Sequence, residues 1–500
     1  MNIPIFTVDN CPSLKKSALT YGHFNSVHPG HIRYLKNAAN QQDALIVAVL
    51  PDTKKGKKRS YKFTQRERAE GLAAITIIDG ILLLKDEDDA LINAIKNLNP
   101  NLLVLGTEFE YSKDAEITKA IKMMRDNGKK VQFHSGEVQY ASTDLLENSE
   151  SDLLADNKIK FKIACDRQSI LKEDLLDLVD SLANSNLLVI GDSILDQYAG
   201  CEALGMSAEA PVLVVRELQK KNFIGGAAIV ASHIKSLGAK CNFLSVVGMD
   251  DTAQIIKKEL EQNGINCEFI EDNSRQTTFK KRYIVENQKL FRVSRLNDHY
   301  LDKSIENQLI EKLANLAPKV DGIVVSDFVY GVITPKIVSK LIELSKKYDL
   351  NIFGDTQCSS QIGLITKFKN FTLLCPNEKE ARIALQDNES GLEIIIKKLL
   401  SVTNTEKIVM KLGAQGFIAF DPNLKGIMSQ SFPALSSNPV DVSGAGDSLL
   451  ALLATALSTN KNKFMHAAAL GCCMSAIAVE NLGNKPISSS QLKDFLNNLL

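Results

Sequence analysis

The sequence predicts an α/β protein built as two separate units, the second carrying a small sheet of its own. Short apolar strands alternate with amphipathic helices in two runs, the pattern of parallel sheets joined by right-handed crossovers. An acidic, polar stretch containing Glu147-Asn148-Ser149-Glu150-Ser151-Asp152 separates the runs. Inside the second run, residues 212–216, 276–286 and 289–295 form a β-rich section before alternation resumes, which reads as a small sheet set against a larger body, a lid over a substrate.

Taken in order, a strand over 16–20 leads into a turn rich in glycine and histidine and a helix over about 30–40. A buried strand over 44–50 follows. An amphipathic helix near 90–98 precedes a strand over 101–105, and 131–134 closes the first run. The first domain is therefore residues 1–145. Residues 146–185 are a linker with a connecting helix over 172–182, and residues 186–500 are the second domain, restarting with a strand over 187–190. A chain of 500 residues exceeds one core at about 100–200 residues per domain.

Composition narrows the function. Hydrophobic content of 44% and charged content of 24% describe an ordinary soluble globular protein. With 59 basic and 59 acidic residues there is no global field to draw nucleic acid or an anionic membrane. The basic run Lys54-Lys55-Gly56-Lys57-Lys58-Arg59 reads as a solvated loop or a local anion contact. The nine cysteines lack metal-like spacing and fit reduced thiols in a cytoplasm. No secretion signal opens the chain, and the most apolar late stretch, 467–479, is broken by Gly471 and Ser475 and too short to span a bilayer.

The most informative segment is Val440-Asp441-Val442-Ser443-Gly444-Ala445-Gly446-Asp447, running into an apolar helix. Small residues at 444–446 let amides turn toward one point, and the helix that starts there adds its positive end. Asp447 stands at the rim of that phosphoryl cradle, where a carboxylate can accept a proton from an attacking hydroxyl. The bland reading is a glycine-rich turn with Asp447 as a cap. A second constellation is Thr20-Tyr21-Gly22-His23-Phe24-Asn25-Ser26-Val27-His28-Pro29-Gly30-His31, directly after the first strand. His28 and His31 project to one side of a helix N-terminus, an arrangement suited to a nucleotide α-phosphate under attack.

The second constellation resembles the cytidylyltransferase-like nucleotidyltransferases, with Glu67-Arg68 and Ser142-Thr143 as further matches. The resemblance implies a Rossmann-like domain in which His28 and His31 stabilise attack of a substrate phosphate on the α-phosphate of CTP or ATP, with Mg²⁺ and release of pyrophosphate. It also implies nucleotide or phosphate contacts from Gly22, Phe24, Gly30, Arg68, Ser142 and Thr143.

No Gly-x-x-x-x-Gly-Lys-Ser/Thr occurs, since Gly56-Lys57 and Gly128-Lys129 each precede another lysine, so a P-loop kinase is excluded. From about 186 to 500 the chain instead resembles the PfkB, ribokinase-like sugar kinases. The residues are Gly191-Asp192, Gly225-Gly226-Ala227-Ala228, Asn377-x-x-Glu380, Lys411-x-Gly413-x-x-Gly416 and Asp441 to Asp447, in that order. By that resemblance Asp447 is the general base and Ser443, Gly444, Ala445 and Gly446 form the anion hole. Lys411, Gly413 and Gly416 bind ATP, while Asn377 and Glu380 organise Mg²⁺ through water. Asp192, Asp196, Gly225, Gly226, Lys280 and Arg282 hold the sugar.

Ser207-Ala208-Glu209-Ala210-Pro211-Val212, Gly248-Met249-Asp250-Asp251 and Gln288-Lys289-Leu290-x-Arg292 are similar to the bifunctional heptose kinase/nucleotidyltransferases of ADP-heptose synthesis, with the domain order reversed. The lid section resembles one that pairs between subunits in relatives, and that resemblance implies a homodimer. Departures from the pattern are Asn25 and Glu108 in the first domain, and Ile229, Ser294, Tyr330 and Gln357 in the second. The last two replace lysines, which points to a sugar differing from heptose 7-phosphate. The alternatives are a CTP-dependent polyol- or sugar-phosphate cytidylyltransferase fused to an unrelated kinase-like domain, or a binding protein without turnover.

Overall fold

The computed structural model describes residues 3–25, 27, 29–54, 57–58, 63–106, 114–134, 150–286, 288–357, 363–424, 427–436 and 439–500. Two compact units emerge: residues 1–141 with 387–397, and residues 142–386 with 398–500. Both are α/β.

The first unit is a six-stranded parallel sheet in the order Ile5–Thr7, Gly80–Leu83, Ala44–Val49, Ser17–Gly22, Leu102–Gly106, Lys130–His134. Its central strands bury both faces, as parallel strands under helices must. Leu19, Ile46, Leu82 and Leu103 face one core, and Ala18, Leu45, Ile81 and Leu102 the other. From Ser17–Gly22 the chain moves outward one way through Ala44–Val49, then returns to the other side at Leu102–Gly106. The carboxyl ends of Ser17–Gly22 and Leu102–Gly106 therefore form the switch-point crevice where such sheets bind ligands. The edge strand Ile5–Thr7, the strand Gly80–Leu83 and the helix Ala115–Asp126 add to the elements read from sequence.

The second unit centres on a nine-stranded sheet in the order Asn266–Glu271, Lys240–Val247, Asn186–Gly191, Gly322–Asp327, Asn351–Thr356, Leu373–Leu374, Lys407–Lys411, Phe417–Phe420, Ser429–Phe432. The first seven strands are parallel and the last two turn back antiparallel. Helices Ala227–Ser236, Ala445–Thr459 and Phe464–Val479 supply much of one continuous core. Gly471 permits close packing there, since a Cβ on it would stand 2.4 Å from Leu449 Cδ1. The apolar stretch 467–479 is thus a core helix, and among the described residues no helix is long and apolar enough to cross a membrane. The segment read as linker holds helices Glu150–Arg167 and Lys172–Ser181, whose Phe161, Ala164, Leu175 and Leu178 enter this core.

A separate four-stranded sheet has the order Leu213–Gly226, Ser193–Met206, Thr278–Val285, Gln288–Arg295. Its first pair is antiparallel with bulges at Gly200/Cys201 and Ala203/Gly205. The long strand Ser193–Met206 is absent from the sequence reading because Gly200 and Gly205 interrupt its pattern.

Candidate active sites

In the first unit the residues after Ser17–Gly22 gather at the switch point. Phe24 is buried with φ of 50°, a left-handed backbone that is a strained choice for an aromatic residue. Its ring sits 5.2 Å from that of His31 and 6.5 Å from that of Tyr34. A Cβ on Gly22 would touch the Phe24 ring at 3.0 Å, so the small residue makes room for the aromatic one. Where the two central strands part, the Tyr34 hydroxyl accepts from the Tyr21 amide at 3.4 Å and donates to the Val104 carbonyl at 2.6 Å. It splices the diverging strand ends and fixes helix Pro29–Ala39 over the crevice. Sequence reasoning missed Tyr34; its only signal was a tyrosine on the inner face of that helix.

The structure gives Arg68 a different task from the phosphate contact expected of it. Its side chain is fully buried and donates to the carbonyls of Phe63, His23 and Leu50 and to Asp52. Gln65 assists, donating from Nε2 to Val49 and Leu84 carbonyls at 2.8 Å each. Together they tie the start of helix Gln65–Ala73 to the carboxyl ends of the strands. His28, Ser142 and Thr143 lie outside the described residues, as does the side chain of Gly30's helical turn partner Pro29.

In the second unit Asp447 lies in the first turn of helix Ala445–Thr459 and is 4% exposed. Gly444 precedes it with φ of 83°, a conformation open to glycine, and a Cβ there would strike Asn484 Oδ1 at 2.2 Å. The Ala445 amide donates back to the Val442 carbonyl at 3.5 Å, while no backbone acceptor for the Gly446 and Asp447 amides is found among the described residues. Lys411 lies beside them, its Nζ 3.3 Å from where a Gly446 Cβ would stand. It is paired with Asp355 at 2.6 Å. Burial alone would lower the Lys411 pKa, but Asp355 and Glu380 outweigh that and keep it cationic. Gly413 and Gly416 form the tight turn between Lys407–Lys411 and Phe417–Phe420.

Burial pushes the Asp447 carboxyl up to about 7; Asp355 adds to this, while Lys411 and a 2.6 Å hydrogen bond from Gln357 Nε2 oppose it. A carboxylate poised near neutrality is suited to taking a proton from a hydroxyl. Asp441, at the start of the same loop, is the opposite case. Burial would raise it, but hydrogen bonds from Lys289 at 2.8 Å, Tyr198 at 2.6 Å and the Ser443 amide at 3.0 Å hold it at about 2. Tyr198 and Lys289 belong to the small sheet, so Asp441 fastens that sheet to the loop leading into helix Ala445–Thr459.

Asn377 and Glu380 form a reciprocal capping box on helix Glu378–Leu385, with both bonds at 2.8 Å. Among the described residues no group of three His, Cys, Asp or Glu could grip a metal ion directly. One feature fits magnesium held mainly by nucleotide phosphates and water: Asp355 Oδ1 is buried without a hydrogen-bond partner, close enough to Glu380 to feel its charge.

Asp192, next to the small sheet, receives the Phe328 amide at 2.8 Å and the Tyr330 and Val332 amides at 3.4 Å each. Burial and Asp327 raise its pKa and these amides lower it. Asp196 pairs with Arg282 and lies beside Gly225, where a Cβ would meet Asp196 Oδ2 at 2.5 Å. Gly226, with φ of 64°, turns the strand into helix Ala227–Ser236. Ile229 on that helix is wholly inside the core and offers nothing to a ligand. The structure thus brings together Asp192, Asp196, Gly225, Gly226, Lys280 and Arg282 on one side, and Lys411 and residues 443–447 on the other. Gln357 and Asp355 lie beside them, through the Gln357 hydrogen bond to Asp447 and the Asp355 pair with Lys411; the signal for Gln357 was its replacement of a usual lysine.

Comparison with known proteins bears on both units. The description "pfkB family carbohydrate kinase" matches residues 184–490, and "Cytidylyltransferase-like" matches residues 19–224. Where the two overlap, strand Asn186–Gly191 pairs within the nine-stranded sheet and so belongs to the second unit. The chain is 33% identical over 312 residues to the bifunctional protein HldE of Campylobacter jejuni, covering 62% of this chain and 64% of that one. With HldE of Geobacter sulfurreducens the identity is 32% over 312 residues, covering 61% and 62%. The chain therefore spans about 64% of the length of the curated relatives it matches. In fold, phosphofructokinase-2 of Escherichia coli aligns with a TM-score of 0.52 at 16% identity, covering 63% of this chain and 99% of that one. Ribokinase of Thermotoga maritima aligns at 0.50 and 21% identity, covering 63% and 100%.

Proposed function

We propose, from the premise that this chain belongs to the pfkB family of carbohydrate kinases, that it is a bifunctional enzyme of nucleotide-activated sugar synthesis. The second unit transfers the γ-phosphoryl of ATP to a sugar or sugar phosphate. The first joins a nucleoside monophosphate from ATP or CTP to a sugar 1-phosphate and releases pyrophosphate. The relatives named bifunctional HldE support the pairing of activities.

The observation that carries the kinase reading is the Asp447 carboxylate, buried at a helix start beside outward amides and Lys411. Asp447 accepts the proton of the sugar hydroxyl as its oxygen bonds to the γ-phosphorus and the bond to the ADP oxygen breaks. The Gly446 and Asp447 amides and Lys411 stabilise charge on the transferring group; losing one such donor costs about 3 kcal/mol. A magnesium ion held near Asp355, Asn377 and Glu380 supplies charge neutralisation at the phosphates when bound. Asp192 and Asp196 orient sugar hydroxyls. In the first unit His31, whose ring is tilted against that of Phe24, and His28 serve to stabilise the α-phosphate under attack, with Arg68 acting as a positioning residue.

Mass spectrometry of products from ATP, CTP and a mixture of heptose and hexose phosphates tests the reading. A sugar bisphosphate or monophosphate formed by wild type and not by Asp447→Asn supports it. Binding of sugar with no ATP consumption by either protein replaces it with a ligand-binding role.

A further inference from the structure

We infer that Lys411 makes divalent-cation binding in the second unit conditional on nucleotide: its ammonium, seated on Asp355, holds the cation off until phosphates lie beside both. This rests on the kinase reading of that unit and deepens it.

The strand order puts Lys411 where it can do this. Asp355 lies near the end of strand Asn351–Thr356 and Lys411 ends Lys407–Lys411, with Leu373–Leu374 between them. That middle strand is two residues long, so the Lys411 side chain closes over its end and reaches Asp355 Oδ2 at 2.6 Å. The Lys411 amide donates to the Pro376 carbonyl at 2.8 Å, and its backbone bridges that of Asn377. Lys411 is thereby fixed at the level of the Asn377–Glu380 cap. On its other side Nζ lies 3.3 Å from where a Gly446 Cβ would stand. One ammonium thus stands between a set of carboxylates and the helix start that carries the Gly446 and Asp447 amides.

The charges around it do not balance. Asp355, Glu380 and Asp447 are each 4% exposed or less, and each interacts electrostatically with Lys411. Asp355 Oδ1 is buried and has no hydrogen-bond partner among the described residues, which leaves it open to a second cation. Two features oppose a metal ion arriving there alone. Among the described residues no group of three His, Cys, Asp or Glu could grip it. A divalent ion at Asp355 also shares one carboxylate with an ammonium, and like charges that close repel strongly where water is scarce. Nucleotide phosphates reverse the sum, because their oxygens answer the ammonium and the metal together. Magnesium is commonly held in this way, by one or two carboxylates plus substrate phosphates. Metal and nucleotide then raise each other's affinity by the same factor.

Titration of the nucleotide-free full chain with Mn²⁺, followed by electron paramagnetic resonance and calorimetry, decides this. Lys411→Met is expected to bind Mn²⁺ at least roughly 30-fold more tightly than wild type, since the repelling charge is gone. Lys411→Arg keeps the charge and should behave as wild type. Adding Asp355→Asn to Lys411→Met should remove the gain, which separates this site from any metal bound by the first unit. Lys411→Gln serves in place of Lys411→Met if the latter does not fold. This pattern supports the inference even if no sugar is phosphorylated, which would sink only the kinase reading. Mn²⁺ affinities within about threefold in wild type and Lys411→Met, or a gain that survives Asp355→Asn, overturn it.

Discussion

Burial and the neighbouring Asp355 raise the Asp447 carboxyl to about 7, while an aspartate in the unfolded chain titrates near about 3.9. The folded protein binds that proton more tightly than the unfolded chain, so this group's contribution to stability is complete below about 4 and is lost as pH rises through 7. The base that chemistry requires is the form that folding disfavours. Asp447→Asn should therefore raise Tm, more at pH 8 than at pH 5, while lowering kinase kcat by about 1,000-fold; calorimetry and ATP-coupled assays measure the two effects. Gln357→Leu removes a hydrogen bond that favours the charged form, so the acid limb of the kcat–pH profile should move to higher pH. An unchanged limb would show that Gln357 does not govern the base. The place of Asp447 at a glycine-led helix start was readable in sequence because its glycines are its immediate neighbours. The partners of Arg68 were not legible for the converse reason: His23, Leu50 and Asp52 are 45, 18 and 16 residues away, and local pattern carries no trace of them.

Elements, more than single residues, explain how each site is held. Helix Pro29–Ala39 is anchored through one hydroxyl, and Tyr34→Phe leaves the buried Val104 carbonyl without it. The expected cost is about 1–3 kcal/mol in the first unit, together with slower nucleotidyl transfer and unchanged kinase rate. In the second unit the small sheet reaches the anion-hole loop through Tyr198 and Lys289 on Asp441. Lys289→Met should lower kinase kcat about tenfold, and its effect should fail to add to that of Tyr198→Phe in a double-mutant cycle, since both act on one carboxylate. Strands with clean apolar runs, such as Ala44–Val49, were legible within a residue of their ends. The strand Leu213–Gly226 was not: most of it is exposed, and Gln219, Lys220 and Lys221 erase the alternation that marks a half-buried strand.

At the scale of the whole molecule, each unit has its own hydrophobic interior. Leu19, Ile46 and Leu103 belong to one and Phe243, Leu450 and Met474 to another. The two chemistries should then be separable in the intact chain. His31→Ala is expected to abolish pyrophosphate release and spare ADP formation, and Asp447→Asn to do the reverse; loss of both activities in either variant would contradict this. The two-unit α/β plan was legible because alternation of strand and helix survives in composition. The depth of the second core was not, since residues 161–182 sit beside an acidic stretch and bury only one face.

The strand Leu213–Gly226 passes into helix Ala227–Ser236 without a single loop residue between them. The ribbon is consequently a crank welded to an interior shaft and not a flap on slack cord. Its pivot, Gly225–Gly226, is wedged against Asp196 and the Asp192 carbonyl, where even a methyl group collides. Variation in what the enzyme accepts must then come from the ribbon's face, because its axle admits no other residue.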